Sequence, residues 1–225
     1  MDGTLVAGDA FGAFLLGRWR RSPLRLAAAL AAAPLLLLDR RAELLVVATA
    51  TAGTTDAALR RRWREHAARH ARAGGVPEAL ERLAAHRRAG DRVLVATACA
   101  DPLARLVLDA LGLADVELVA TPYEHRRWRT PRASAIRGEA KVRALRRAGV
   151  VLPVDDAYSD SLRDLPLLRA ARTPHLVRPR RRDLPRWRRA LGGVEVLGPV
   201  RGAGPAPRTG LLRRVVRRPA PPRGR

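Results

Sequence analysis

Residues 92–177 constrain the fold most, because their hydrophobic period switches repeatedly between that of a strand and that of a helix. Short apolar runs fall at 92–97 (RVLVAT), 116–121, 150–158 and 175–177. Between them lie amphipathic segments at 101–111, closed by Gly112, and at 138–147 and 161–171. Strands that alternate with helices need crossover connections, and these build a parallel sheet covered by helices. Ligands on open parallel sheets bind beyond the carboxyl ends of the strands, so the residues that end these runs are the candidates for chemistry.

The N-terminal part has helical periodicity. Residues 10–21 place Phe11, Phe14, Leu15 and Trp19 on one side, and 55–72 and 76–88 are amphipathic, the first very basic on its outer face. Residues 26–38 form an unbroken apolar run that includes Pro34, and 44–50 add a second one. Arg18, Arg20, Arg21 and Arg25 precede the first run, and Arg40 and Arg41 follow it. A spanning helix needs about 20 apolar residues, so this run is too short to cross a bilayer. Two readings remain: a helical hairpin that dips into one leaflet with its arginines at the headgroups, or a buried Ala/Leu helix pair in a soluble subdomain.

Charge narrows the classes. The 44 basic residues outnumber 21 acids, a net of +23. From 178 to 225 there are 15 Arg and two acids, Asp183 and Glu195, so more than half of the excess lies in the last fifth of the chain. Six prolines from Pro199 onward mark 199–225 as a disordered basic tail. Such a tail either contacts nucleic acid or anionic lipid, or is simply solvated. Nucleic acid is the weaker partner, because Trp187 is the only aromatic near the tail and base stacking needs more. The 47% hydrophobic content is enough for a core, and a lone Cys99 excludes an intrachain disulfide. The chain opens on Asp2 and Gly3 without a basic-then-apolar leader, so a cytoplasmic place is expected, with peripheral contact at the inner face of the membrane. Of the 44 basic residues only Lys141 is Lys, a compact point charge where Arg is a flat fork.

Four signals sit at strand ends: Asp2-Gly3-Thr4-Leu5, Thr97 after RVLVAT, Lys141 in GEAKVRAL, and Asp160 with Asp164 in YSDSLRDLPLL. A hydroxyl, an ammonium and paired carboxylates at neighbouring strand ends suit a divalent metal and a phosphate: carboxylates hold Mg²⁺, and the hydroxyl and ammonium bind phosphoryl oxygens. Singly, each has an ordinary reading as a turn, a strand-end hydroxyl, a helix cap or a surface acid. Their joint order outweighs those readings. Cys99 reads as a small buried thiol, and His125 and His175 read as structural or surface residues.

The set DGTL, VLVAT, GEAK and YSDSLRDLPLL resembles the haloacid dehalogenase superfamily in its phosphoserine-phosphatase-like branch, over residues 1–198. With GDAFGAFL and the apolar run at Pro34, it looks closest to the phosphatidylglycerophosphate phosphatases of that superfamily. The resemblance implies an α/β fold, a Rossmann-like parallel sheet with an inserted helical cap: core 1–9 and 91–198, cap 10–90. It implies a Mg²⁺-dependent phosphatase that hydrolyses a phosphate monoester, lipid-borne or a small ester such as phosphoserine, through an aspartyl phosphate. Asp2 would be the general acid and base, Thr97 and Lys141 would hold the phosphate, and Asp160 would ligate the metal with Asp164 supporting it.

One departure is large. The family's first motif is Asp-x-Asp-Gly-Thr, whose first Asp is the nucleophile, and here Met1 occupies the middle position. The first core strand is therefore expected to be missing. A start codon placed too far downstream and a truncated, inactive relative both account for this, and the first is favoured by the three intact motifs. The chain as given is expected to have little or no turnover. The alternative reading is a non-catalytic module of this fold whose basic tail binds anionic membrane or nucleic acid.

Overall fold

The computed structural model describes residues 1–37, 43–123 and 135–202. Five helices come first: α1 (Ala10–Arg20), α2 (Pro23–Ala32), α3 (Glu43–Thr51), α4 (Asp56–Gly74) and α5 (Pro77–Arg88), with a 3-10 turn at Ala33–Leu37 after α2. Their starts follow local chemistry. Asp9, Ser22 and Thr55 each accept a backbone N–H of the first turn, and Pro23 and Pro77 occupy first-turn positions where no N–H is needed.

The alternating part follows as β1 (Leu94–Ala100), α6 (Asp101–Ala110), β2 (Glu117–Thr121), α7 (Glu139–Arg147), β3 (Val154–Ser159), α8 (Leu165–Arg169), β4 (Ala171–Val177), α9 (Leu184–Leu191) and β5 (Glu195–Leu197). All pairings are parallel, as the alternation requires. The described strands form two half-sheets, β1–β2 and β3–β4–β5, instead of one. A cavity of about 660 Å³ separates them, lined by Leu94 and Val95 of β1, Val154 and Ala157 of β3, Leu83 of α5 and Leu145 of α7. It lies between β1 and β3, at the edges that pair with no other described strand.

Four elements differ from expectation. Residues 161–171 are a 3-10 turn at Leu162–Asp164 followed by the short α8. Pro166 would clash in the middle of one continuous helix but fits the first turn of a new one. β4 starts at Ala171, ahead of the expected 175, because Arg172 and Thr173 are exposed and break the apolar pattern. α9 and β5 lie in the Arg-rich stretch to which no element had been assigned. The tail expected at 199–225 lies outside the described residues from 203 onward, as do Arg40, Arg41 and His125.

The main apolar cluster runs from the cap helices into the first half-sheet: Phe14 and Leu15 of α1, Leu59 and Trp63 of α4, Leu103, Val107 and Leu108 of α6, and Val95 of β1. Burying each such side chain contributes roughly 1.5–3 kcal/mol. Phe14 and Tyr123 both meet Trp63 edge-on, with ring centroids 6.1 and 5.3 Å away. A smaller cluster of Ala157, Leu168, Leu176 and Trp187 serves the second half-sheet.

Candidate active site

The site forms at the carboxyl ends of β1 and β3, where the N-terminal turn meets both. Leu5 N–H donates to Met1 C=O at 2.8 Å and Gly3 N–H to Val6 C=O at 2.7 Å, which closes a tight turn. Gly3 has φ +73°, and a Cβ there would fall on the Asp160 carboxylate, so the position requires glycine on both counts. Thr4 then donates its hydroxyl to Asp160 Oδ1 at 3.1 Å. Asp2 Oδ1 accepts from Ala10 N–H, the first residue of α1, at 3.1 Å. That helix end favours a negative charge. Burial nevertheless pushes the Asp2 carboxyl above its usual pKa, with the Met1 amino group and the Ala10 N–H partly offsetting the rise. A carboxyl so raised is suited to hold a proton and pass it on.

Lys141 and Asp164 form the buried centre. Lys141 lies in the first turn of α7, is 5% exposed, and donates from Nζ to Asp164 Oδ1 at 2.6 Å. Ser159, the last residue of β3, donates to Asp164 Oδ2 at 2.8 Å, so both carboxylate oxygens have donors. The chain's one lysine is therefore held by a carboxylate at the sheet's end, which explains why a point charge stands here. Asp164 orients Lys141, while Asp160 meets Thr4 and Arg201 instead. Burial lowers the pKa of the Met1 amino group, and the charges of Asp2, Lys141, Asp164 and Asp160 also act on it.

Thr97 is 1% exposed, in a stretch where the β1–β2 register shifts between Ala96 and Ala100, and its Oγ1 accepts from Cys99 N–H at 3.1 Å. Bulges of this kind re-aim side chains next to sites. Cys99 is buried, and burial pushes its thiol well above the usual pKa, with the charges of Asp2 and Asp9 adding to the rise. It is an inert thiol.

One residue at the site was not visible in the sequence. Arg201 pairs its backbone with Pro179 and Arg181, donates Nε to Arg178 C=O, and sets Nη2 2.6 Å from Asp160 Oδ2. It looked like one more arginine of the tail, and only the backbone pairing brings it to the site.

A family model for haloacid dehalogenase-like hydrolases matches residues 1–169. The chain belongs to the haloacid dehalogenase-like hydrolases. The fold of this hydrolase is also that of two solved structures. A protein of unknown function from Bordetella pertussis Tohama I aligns with TM-score 0.69 at 23% identity, over 88% of this chain and 95% of that one. A phosphoserine phosphohydrolase-like protein from Francisella tularensis subsp. tularensis SCHU S4 aligns with TM-score 0.55 at 15% identity, over 79% of this chain and 84% of that one. No curated protein sequence matches the chain significantly.

Beside the hydrolase site, His175 is buried and structural. Its Nε2 lies 2.6 Å from Asp156 and its Nδ1 2.8 Å from Glu195, and the ring stacks on Tyr158 at 4.4 Å. Among the described residues no three His, Cys, Asp or Glu side chains group to hold a metal unaided. The donor chemistry still fits Mg²⁺, a hard cation that takes carboxylate oxygens and keeps several waters: Asp160 is only 15% exposed and already faces a cationic guanidinium.

Proposed function

We propose that this fold carries out Mg²⁺-dependent hydrolysis of a phosphate monoester through an aspartyl phosphate. The observation that carries the reading is the buried Lys141–Asp164–Ser159 arrangement next to Asp160, facing an Asp2 whose carboxyl is raised by burial. Lys141 and Thr97 hold the phosphoryl oxygens, where an ammonium and a hydroxyl stabilise charge that shifts in the transition state. Asp160 would hold Mg²⁺, which when bound supplies charge neutralisation on those oxygens. The acceptor in such a step is a carboxylate, the first Asp of the family's motif, for which this sequence shows no counterpart. As the ester P–O bond breaks and the acceptor O–P bond forms, Asp2 protonates the leaving alkoxide. It then takes a proton from the water that hydrolyses the acyl phosphate.

A lipid phosphate such as phosphatidylglycerophosphate and a small ester such as phosphoserine need the same core residues. The test is a phosphate-ester panel, lipid vesicles included, with a chain extended by the in-frame residues encoded ahead of Met1. The expected result is Mg²⁺-dependent turnover that Asp160→Asn abolishes. Turnover by the 225-residue chain itself would remove the need for an upstream acceptor. One contact favours the non-catalytic reading: Thr4 and Arg201 already occupy both oxygens of Asp160. A folded, extended chain without turnover on any ester would decide for it.

A further inference from the structure

Most of the large exposed apolar side chains of the described residues lie on the α2–α3 hairpin and its flank. Leu24, Leu30 and Leu37 are 84%, 65% and 90% exposed, and Leu16, Leu26, Leu35 and Leu45 are exposed beside them. Of all α2 only Ala29 is buried. Each fully exposed leucine forgoes roughly 1.5–3 kcal/mol of burial, and a concentration of exposed apolar side chains on one hairpin marks a contact site.

The hairpin is rigidly mounted. The leaflet reading puts Arg18 and Arg25 at lipid headgroups, but they turn inward. Arg18 Nε donates to Ala50 C=O at 3.1 Å, and Arg25 donates to the carbonyls of Thr49, Ala50 and Ala52 at 3.1, 2.9 and 2.8 Å. They satisfy the open carbonyls at the end of α3, where a cation is favoured. Arg20 and Arg21 remain exposed at the hairpin's base. Residues 10–37 contain no acid.

We infer that this hairpin docks the chain on an anionic lipid bilayer, with Leu24, Leu30 and Leu37 entering the boundary between headgroups and acyl chains and Arg20 and Arg21 meeting lipid phosphates. The face is uncharged and apolar, bordered by cations, which is the pattern of an interfacial helix. A second copy fits poorly, because it would bring the same exposed arginines, and the one acid of α2 and α3, Glu43, is already paired with Arg137. Among the described residues no helix is long and apolar enough to cross a membrane, so the hairpin lies on the surface. A groove of about 510 Å³ between α2 and α3, lined by Leu24, Ala28, Leu45 and Ala48, runs alongside. The inference does not depend on the phosphatase reading.

The test is co-sedimentation of the full chain with vesicles of phosphatidylcholine, with and without phosphatidylglycerol. Binding is expected only with phosphatidylglycerol. Leu30→Asp/Leu37→Asp together should weaken it roughly tenfold or more, and Arg20→Gln/Arg21→Gln by roughly fivefold per arginine. Both variants should keep the thermal midpoint of the parent, because the side chains changed are exposed. Val151→Asp, at an equally exposed valine outside the hairpin, should change nothing. Binding that survives Leu30→Asp/Leu37→Asp would assign the membrane contact to residues 203–225 and overturn the inference. So would a dimer that the same variant dissolves, in a chain that ignores both vesicles.

Discussion

The two half-sheets are held by different forces. β1 and β2 rest on a large apolar cluster shared with α1, α4 and α6, which Val177 of β4 also joins, whereas the rest of β3, β4 and β5 packs on a smaller cluster of Ala157, Leu168, Leu176 and Trp187. Polar contacts also tie α5 to the second half-sheet. Arg178 Nη2 reaches Glu78 at 2.7 Å and Arg82 reaches Glu195 at 2.8 Å. Thr97 stands on the first half and Asp160 on the second, so the site straddles a polar joint beside a cavity. Its geometry is therefore only as firm as that joint, since half-exposed ion pairs are each worth about 0–1 kcal/mol.

Trp187→Ala should have the largest effect on stability. The side chain is fully buried in the smaller cluster, and such truncations cost about 3–5 kcal/mol, a large share of the roughly 5–15 kcal/mol of a typical domain. Hydrogen exchange is expected to show lost protection in β3 and β4 with β1, β2 and α6 spared. Equal loss in both halves would show that they unfold as one unit, and the distinction between them would fail.

Lys141→Met comes next. It leaves the Asp164 carboxylate without its cation in a largely buried place, which costs roughly 3 kcal/mol. Adding Asp164→Asn removes the stranded charge, so the double variant should be more stable than Lys141→Met alone in denaturant unfolding. Additive losses would mean that the two groups do not act as a pair.

The parallel alternation was legible because each buried strand and amphipathic helix carries its period in residues that face one core. β1, α6, β2 and α7 appear within a few residues of where the pattern puts them. The candidate residues stood out for other reasons: Lys141 is the one lysine among 44 basic residues, and Asp160 and Asp164 follow the apolar run at 150–158. What the sequence hid was composition masking period. In α9, Trp187 and Leu191 face the core while Arg186, Arg188 and Arg189 flank them, and the arginines read as tail. Arg201 was hidden for the same reason, as one arginine among many. The split of the sheet is invisible to periodicity, because pairing between strands is not encoded within either one.

The smallest effect concerns Tyr158, which belongs to the joint. Its hydroxyl donates to His86 Nε2 at 2.7 Å, His86 Nδ1–H donates to Asp91 at 2.7 Å, and its ring lies flat on His175. Burial, and then the negative charge of Asp156, push the phenol up to about 12 from a usual value near 10. The folded protein thus keeps a proton that the unfolded chain releases between those values. The stability this contributes is complete below about pH 10 and is lost as pH rises through about 12. Tyrosinate absorbance should therefore appear late in the folded protein, and Tyr158→Phe should remove that late step. Burial also raises Tyr123, so neither tyrosine is expected to ionise near pH 10 before unfolding. A normal titration of Tyr158 would mean that water reaches the joint, and that α5 and the second half-sheet are not in contact there.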